Sequence, residues 1–486
     1  MHVVLVILGA LLLTLEIALR LVALGIIPGN RKPSTGMAWL LLILVEPIIG
    51  FAIFGLFGRR DLGRHRLARQ QEATAAIRAV VTALPMPHDE SRFDPPVRTI
   101  VALNTELGAL PMVEGNQMRL CPDYGELIAQ LAAEIDAATS YVHVEFYITA
   151  WDDVTAPVFE AMIRATERGV RVRLLFDHLG SRGIPGYRRM LERLRETALE
   201  WHPMLPIDPL RGRFRRPDLR NHRKLVVVDG AVAFTGSLNL TEPGYNKPKN
   251  HRAGRRWVEL MVRLEGPVVG AVNTVFASDW YVETGELVEI GRRRAELDPA
   301  APARTPCQIV PSGPGYPQEN NLRMFTALLY SATRRISLTS PYFVPDESLL
   351  YAVTTAAQRG VEVELFVSET SDQFMVGHAQ ASYYRELLEA GVRIHLYPSP
   401  AILHAKHFTI DDTVAVVGSS NMDMRSFALN YEICLMMPDV AAVRELRRVE
   451  DTYRSLCREL TLAEWNARSP LRRYVDNVMR LTAALQ

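Results

Sequence analysis

"NHRKLVVVDGAVAFTGSLN", Asn221 to Asn239, and "LHAKHFTIDDTVAVVGSSN", Leu403 to Asn421, decide how this chain is read. Laid one over the other, they match His222 with His404, Lys224 with Lys406 and Asp229 with Asp411, and then Gly236, Ser237 and Asn239 with Gly418, Ser419 and Asn421, at identical internal spacing. On a strand, residues two apart face the same side, so each copy presents an imidazole and an ammonium to one space. Lysine supplies fixed positive charge for phosphate oxygens. Histidine serves as nucleophile or proton donor near neutral pH. Two histidines allow one to attack phosphorus while the other protonates the leaving group. A single strand histidine is usually a packing residue, but that explanation would have to hold twice. The two aspartates also suit a structural part, ending a strand and pinning a turn.

Outward from these motifs the chain repeats itself. Tyr124 to Ala138 has helical spacing, Tyr141 to Ile148 alternates as a strand, Val158 to Arg168 is helical and Val170 to Phe176 reads as a buried strand. The same order recurs over Leu322 to Thr333, Ile336 to Phe343, Leu349 to Arg359 and Val361 to Val367. "ERGVRVRLLF" from Glu167 and "QRGVEVELFV" from Gln358 share an Arg-Gly-Val start followed by apolar alternation. A Pro/Ala-rich stretch, Leu297 to Pro306, separates the halves. Alternating helices and strands imply an α/β architecture, and the repeat, at about 180 residues, is too long for a solenoid.

The N-terminus is of a different kind. Val3 to Ile27 is apolar except for Glu16 and Arg20, and Met37 to Phe57 is a second apolar run interrupted by Glu46-Pro47. Each is close to the ~20 residues that cross a bilayer as a helix. Glu16 and Arg20, four apart, are placed to pair on one helix face. The alternative, a cleaved signal peptide, lacks a basic start and is followed at once by a second run. The turn Pro28 to Ser34 holds Arg31 and Lys32, while Arg59, Arg60, Arg64, Arg66 and Arg69 follow the second run. That asymmetry predicts a hairpin with the long remainder in the cytoplasm. A polar stretch around Pro85 to Pro96 reads as a linker.

With 486 residues, 48% hydrophobic, the chain can bury two cores, and a formal net charge of +1 does not suit a dedicated nucleic-acid binder. Cys121, Cys307, Cys434 and Cys457 include no C-x-x-C pair, so no zinc site is expected. His143 and His178 have no companions at metal-ligand spacing and read as structural or peripheral. Arg211, Arg213, Arg215, Arg216, Arg220 and Arg223 crowd the first motif, either as an electropositive mouth for anionic head groups or as a solvated loop. The tail, Leu471 to Leu485, spaces apolar residues among Arg472, Arg473 and Arg480, as a packed terminal helix or a membrane-lying one.

H-x-K-x4-D followed by G-S-x-N resembles the signature of the phospholipase D superfamily. "GMAWLLLILVEPIIGFAIFGLFG" from Gly36, "VPSGPG" from Val310, "SPYFVPD" from Ser340 and "NMDMRSFALNYEI" from Asn421 are similar to bacterial cardiolipin synthases. The resemblance implies two pseudo-symmetric phospholipase D-like α/β/α sandwich domains, over residues 111–296 and 297–486, preceded by a transmembrane hairpin (1–60) and a linker (61–110). It implies one site lined by both motifs, with His222 as nucleophile, His404 as acid and base, and no metal or other cofactor. It assigns Lys224, Asp229, Lys406 and Asp411 to the catalytic set. Ser237, Asn239, Ser419 and Asn421 are supporting residues, with Glu432 and Glu259 as the acidic residues that hydrogen-bond the histidines; relatives often carry Asp at the latter position. The implied reaction joins two phosphatidylglycerol molecules into cardiolipin and glycerol at the bacterial inner membrane. Phospholipase D hydrolysis, or transfer to another alcohol, is the alternative. No nucleic-acid partner is implied.

Overall fold

The computed structural model of the chain describes residues 2–29, 33–58, 62–82, 93–207, 216–288, 305–316 and 318–483. Its body is one continuous run of strands that reads as two copies of the same order. From the centre outward, the first half runs Val113–Cys121, Met261–Glu265, Val232–Gly236, Lys224–Val228, Tyr141–Phe146, Arg171–Asp177 and Glu200–Met204. The second runs Thr305–Ser312, Asn430–Met437, Val414–Gly418, His407–Ile410, Arg335–Thr339, Glu362–Ser368 and Arg393–Tyr397, with Arg458–Leu460 added at its edge. Val113–Cys121 and Thr305–Ser312 pair antiparallel and join the copies. The inner strands of each half are antiparallel and the outer three parallel, as crossover helices require.

The repeated Arg-Gly-Val has a local cause. Gly169 and Gly360 take φ of +85° and +89° just past the helices Ala156–Glu167 and Glu347–Gln358, the left-handed conformation that glycine adopts without a Cβ clash. Beside them Arg168 donates to the carbonyls of Ile135 and Ala138, and Arg359 to those of Tyr330 and Ala332, closing the end of the neighbouring helix in each half. Helices Val268–Thr284 and Val440–Leu456 contribute Phe276, Trp280, Leu446 and Tyr453 to a core shared by both halves, while Tyr124–Asp136 and Asn320–Ser331 cover the outer faces.

The sequence-predicted segment 61–110 contains two helices, Arg64–Thr82 and Pro95–Gly108. The first is tied to the body by a buried Arg66–Glu283 ion pair and by Gln70 donating to Ser278. The second buries Val97, Ile100 and Val101 in the core of the second half. Its apolar spacing is short and lies behind Pro95-Pro96, where it reads as linker.

At the N-terminus, Val3–Ile26 is long and apolar enough to cross a membrane, and none of its apolar window is buried. The second run is not one helix: it divides at Glu46 into Pro33–Val45 and Pro47–Ile53, because Pro47 cannot continue the hydrogen-bond ladder. The two runs fold back on each other through Ala23, Ile27, Leu40, Ile43 and Phe54. Arg20 pairs with Glu16 at 3.4 Å, as the spacing predicts, and also donates to the Leu44 carbonyl. Arg31, Lys32, Arg59, Arg60, Arg211, Arg213, Arg215 and the core of the Pro85–Pro96 stretch lie outside the described residues.

Candidate active site

The geometry of the site follows from two short parallel pairings between the halves. Arg220–Asn221, just before the first motif, pairs with Asn430–Tyr431 of the second half; Ile402–Leu403, just before the second, pairs with Trp257–Val258 of the first. The backbone N–H of His222 donates to the Tyr431 carbonyl, and that of His404 to the Val258 carbonyl, both at 2.8 Å. One residue further along each partner strand stands a glutamate. The result is an exchange: Glu432 of the second half lies 3.0 Å from His222 Nδ1, and Glu259 of the first half 2.7 Å from His404 Nδ1. A carboxylate at Nδ1 fixes the tautomer with Nδ1–H donating, which leaves Nε2 to the cleft.

The rest of each signature supports that exchange. Ser237 donates to Glu259, and Ser419 to Glu432. Each serine thereby anchors the carboxylate that serves the opposite half's histidine. Gly236 and Gly418 are required by close approach: a Cβ there would stand 2.3 Å from the Leu260 carbonyl oxygen and 2.5 Å from that of Ile433, each the residue just after one of the two glutamates. Lys224 and Lys406 each donate to the carbonyl of the histidine two residues earlier, leaving further N–H donors for a ligand. Asn239 is occupied on both sides, accepting from the Ile148 N–H and donating to Tyr245 at 2.7 Å. Asn421, by contrast, keeps a buried Oδ1 with no partner among the described residues.

Asp229 and Asp411 fall at the far end of their strands, away from the histidines. Both adopt left-handed φ, 52° and 49°. Asp229 accepts from the backbone of Thr139, Ser140 and Tyr141 and from the Thr139 hydroxyl; Asp411 accepts equivalently from Thr333, Arg334 and Arg335. These amide donors hold both carboxyls below the usual range. Their place is that of a staple between strands, the structural option open to them in the sequence.

Burial dominates the electrostatics. It pushes His222 well below its ordinary value, aided by Lys224, Lys406 and the neighbouring His404. His404 is lowered too, but Glu259 pulls the other way. Lys406 falls to about 8, and Lys224 is lowered as well, while Glu432 rises to about 8. Each histidine feels the other half's lysine, so both motifs share one space.

Several neighbours were not singled out in the sequence. Tyr147 packs on His222 at 4.9 Å, and Tyr342 stands 6.5 Å from His404, an aromatic wall in each half. The recurrence of Tyr just past both strands was the available signal. Asn221 donates to the buried Glu145, and Arg223 pairs with buried Asp279 while donating to the Glu432 carbonyl at 3.1 Å. Arg216 and Arg220 bind Asp218 and Asp177. The described arginines of that run therefore brace the first motif, and do not form an open basic mouth. His143 stacks on Phe276 and meets Asn273; burial holds it down to about 3, neutral and structural. His178 accepts from the Ile207 N–H.

Known proteins resemble this chain in sequence and fold. The sequence model of the family described as cardiolipin synthase, PLD-like domain, matches residues 131–280 and 325–452. The chain is 32% identical to cardiolipin synthase A of Proteus mirabilis (strain HI4320) over 92% of both chains. It is 33% identical to that of Serratia proteamaculans (strain 568) over 94% of both. To that of Klebsiella pneumoniae (strain 342) it is 32% identical over 98% of this chain and 96% of the relative. Among solved structures, the phosphatidylserine synthase of Haemophilus influenzae Rd KW20 superposes with a TM-score of 0.59 at 13% identity, over 81% of this chain and 100% of that one, a likeness of fold.

Proposed function

The chain belongs to the phospholipase D-like cardiolipin synthase family, and from that premise we propose that it transfers a phosphatidyl group between two phosphatidylglycerol molecules, giving cardiolipin and glycerol. It is a phosphatidyltransferase of the phospholipase D type, acting on membrane phospholipid. The observation that carries this reading is the alignment with curated cardiolipin synthases over more than nine-tenths of both chains.

The proposed mechanism uses this chain's own groups. His222 Nε2 attacks phosphorus of the first phosphatidylglycerol. The bond from phosphorus to the glycerol oxygen breaks, and His404 Nε2–H protonates that oxygen as glycerol leaves. This gives a phosphatidyl-histidine on His222. The primary hydroxyl of a second phosphatidylglycerol then attacks the same phosphorus, passes its proton to the now neutral His404, and the N–P bond breaks, restoring His222. Glu259 favours the cationic form that His404 must hold before the first step, which supports His404 as the acid. Lys224 and Lys406 stabilise the charge that develops on the phosphoryl oxygens, and Asn421 Oδ1 is placed to accept from a bound hydroxyl.

The division at 110/111 and 296/297 into two catalytic units is part of the proposal, supported by the repeated strand order. So is a hairpin anchor with a cytoplasmic body, supported by the flanking arginines. Labelling of a Ser34→Cys variant by an impermeant thiol reagent from outside intact spheroplasts checks the orientation; no labelling until lysis would reverse it. Lipid mass spectrometry on the full-length enzyme in phosphatidylglycerol vesicles checks the reaction. Cardiolipin with an equal amount of free glycerol is expected, and phosphatidic acid as the sole lipid product would make it a hydrolase.

A further inference from the structure

The C-terminal helix Pro470–Arg480 packs one face on the body and carries a separate apolar stripe on the other. Its buried residue is Asp476, 2% exposed, which meets His378 Nδ1 at 2.6 Å and Arg468 at 2.8 Å. Arg480, on the same side, reaches Glu386 and lies over the Tyr383 ring. Met479 packs inward against the core of the second half, but four apolar positions at three- and four-residue spacing face outward: Leu471, Tyr474, Val478 and Leu481 are 73, 66, 36 and 84% exposed. Packing on the core accounts for the inward face but not for this outward stripe.

This stripe does not stand alone. Phe374 and Met375, also exposed, open the helix Phe374–Glu389 on which the C-terminal helix packs, and the Phe374 ring contacts the same His378 that holds Asp476. The patch adjoins the catalytic cleft: Gln373 donates to the Tyr342 hydroxyl, which itself donates to Asp372, and Tyr342 walls the site beside His404. The membrane segment reaches the body beside the same cleft. Leu62, just after it, is buried with Leu205, Leu219, Leu429 and Tyr431, and Tyr431 adjoins Glu432.

We propose that Phe374, Met375, Leu471, Tyr474, Val478 and Leu481 form a second membrane contact, which inserts into the interfacial layer of an anionic phospholipid bilayer and holds the cleft mouth against it. Exposed Arg472 and Arg473 on the same helix match the sign of anionic head groups, and aromatic with aliphatic residues beside arginine are the composition of an interfacial helix. The contact rests on the phosphatidyltransferase reading, since it presents the cleft to a lipid substrate.

The test uses the full-length protein in vesicles of phosphatidylcholine and phosphatidylglycerol. Tyr474→Cys, in a Cys457→Ser background, is labelled with a nitrobenzoxadiazole fluorophore and compared with Tyr330→Cys, near the opposite end of the second half's strands. Blue-shifted emission quenched by acyl-chain spin labels is expected at 474 and not at 330. A probe at 474 as solvent-exposed as that at 330 overturns the proposal, and so does disulfide-linked dimer formation through Tyr474→Cys without quenching, which would assign the face to a second copy. Leu471→Asp with Leu481→Asp should raise the apparent KM for phosphatidylglycerol mole fraction on the order of tenfold, with kcat retained at saturating lipid. A fall in kcat with unchanged KM would assign the helix a purely structural part. Cardiolipin synthesis with an unquenched probe removes this proposal alone, whereas a quenched probe with phosphatidic acid as sole product removes the transferase reading alone.

Discussion

His222 and His404 sit in motifs with the same spacing, on equivalent strands, yet their settings differ. Glu259 meets His404 with both oxygens, at 2.7 and 2.9 Å, and is 5% exposed. Glu432, wholly buried, also meets His222 with both oxygens but at 3.0 Å each, and accepts from Ser419 and Asn430, while Glu259 accepts from Ser237. Burial raises Glu432 to about 8, so it is a weaker anion for its histidine than an ordinary carboxylate would be. A duplicated motif can therefore be symmetric in residue type and unequal in setting: burial lowers both histidines, while Glu259 opposes that fall at His404, as the proposed division of roles requires. Two like histidines could not share the work of nucleophile and acid unless their surroundings pushed them apart.

The largest expected effect breaks that division directly. His222→Ala and His404→Ala should each lower kcat with phosphatidylglycerol by about 10³-fold or more. A phosphatidyl donor with a p-nitrophenol leaving group needs no proton, so His404→Ala should regain a nitrophenol burst in stopped-flow absorbance while His222→Ala stays silent. The reverse pattern would exchange the two roles.

A smaller effect sharpens it. Glu259→Gln and Glu432→Gln should each cost kcat on the order of 10²-fold, but their pH profiles should part. Glu259 supports the protonated form of His404, so its loss lowers that pKa, and the alkaline limb of the kcat profile moves to lower pH. Glu432→Gln should leave that limb in place. Equal displacement of the limb in both variants would mean that the two pairs are electrostatically equivalent.

The smallest effect on chemistry concerns Asp229 and Asp411. Replacing either by Ala should cost about 1–3 kcal/mol in denaturant unfolding, with kcat of the folded enzyme within about twofold. Both carboxyls are lowered in the folded state. Their stabilisation is thus fully present above the unfolded value of about 4 and is lost as pH falls through the folded value. A large kcat loss with unchanged stability would return them to the catalytic set.

Much of this was legible before any coordinates. The helices at Tyr124 and Leu322, and the strands at Tyr141 and Val361, lie within a few residues of where apolar spacing placed them, because local period and glycine caps agree there. Glu259 and Glu432 were legible as histidine partners through family resemblance. Their exchange between halves was not, since it depends on Arg220–Asn221 and Ile402–Leu403 crossing to the other copy, and two-residue pairings leave no periodic trace. The sequence left the described arginines around His222 open for a related reason: side-chain count reports charge, while the pairing of Arg220 with Asp177 and of Arg223 with Asp279, remote in sequence, is not visible in it. The break of the second apolar run at Glu46-Pro47 was legible too, and there the chain divides into two helices.

The exchanged glutamates also bear on how the protein is made. His222 emerges from the ribosome some two hundred residues before Glu432, and until that later residue arrives the first motif lacks the carboxylate that orients it. A half-synthesised chain, or a fragment ending before Glu432, would carry His222 without the carboxylate that meets its Nδ1 in the folded protein.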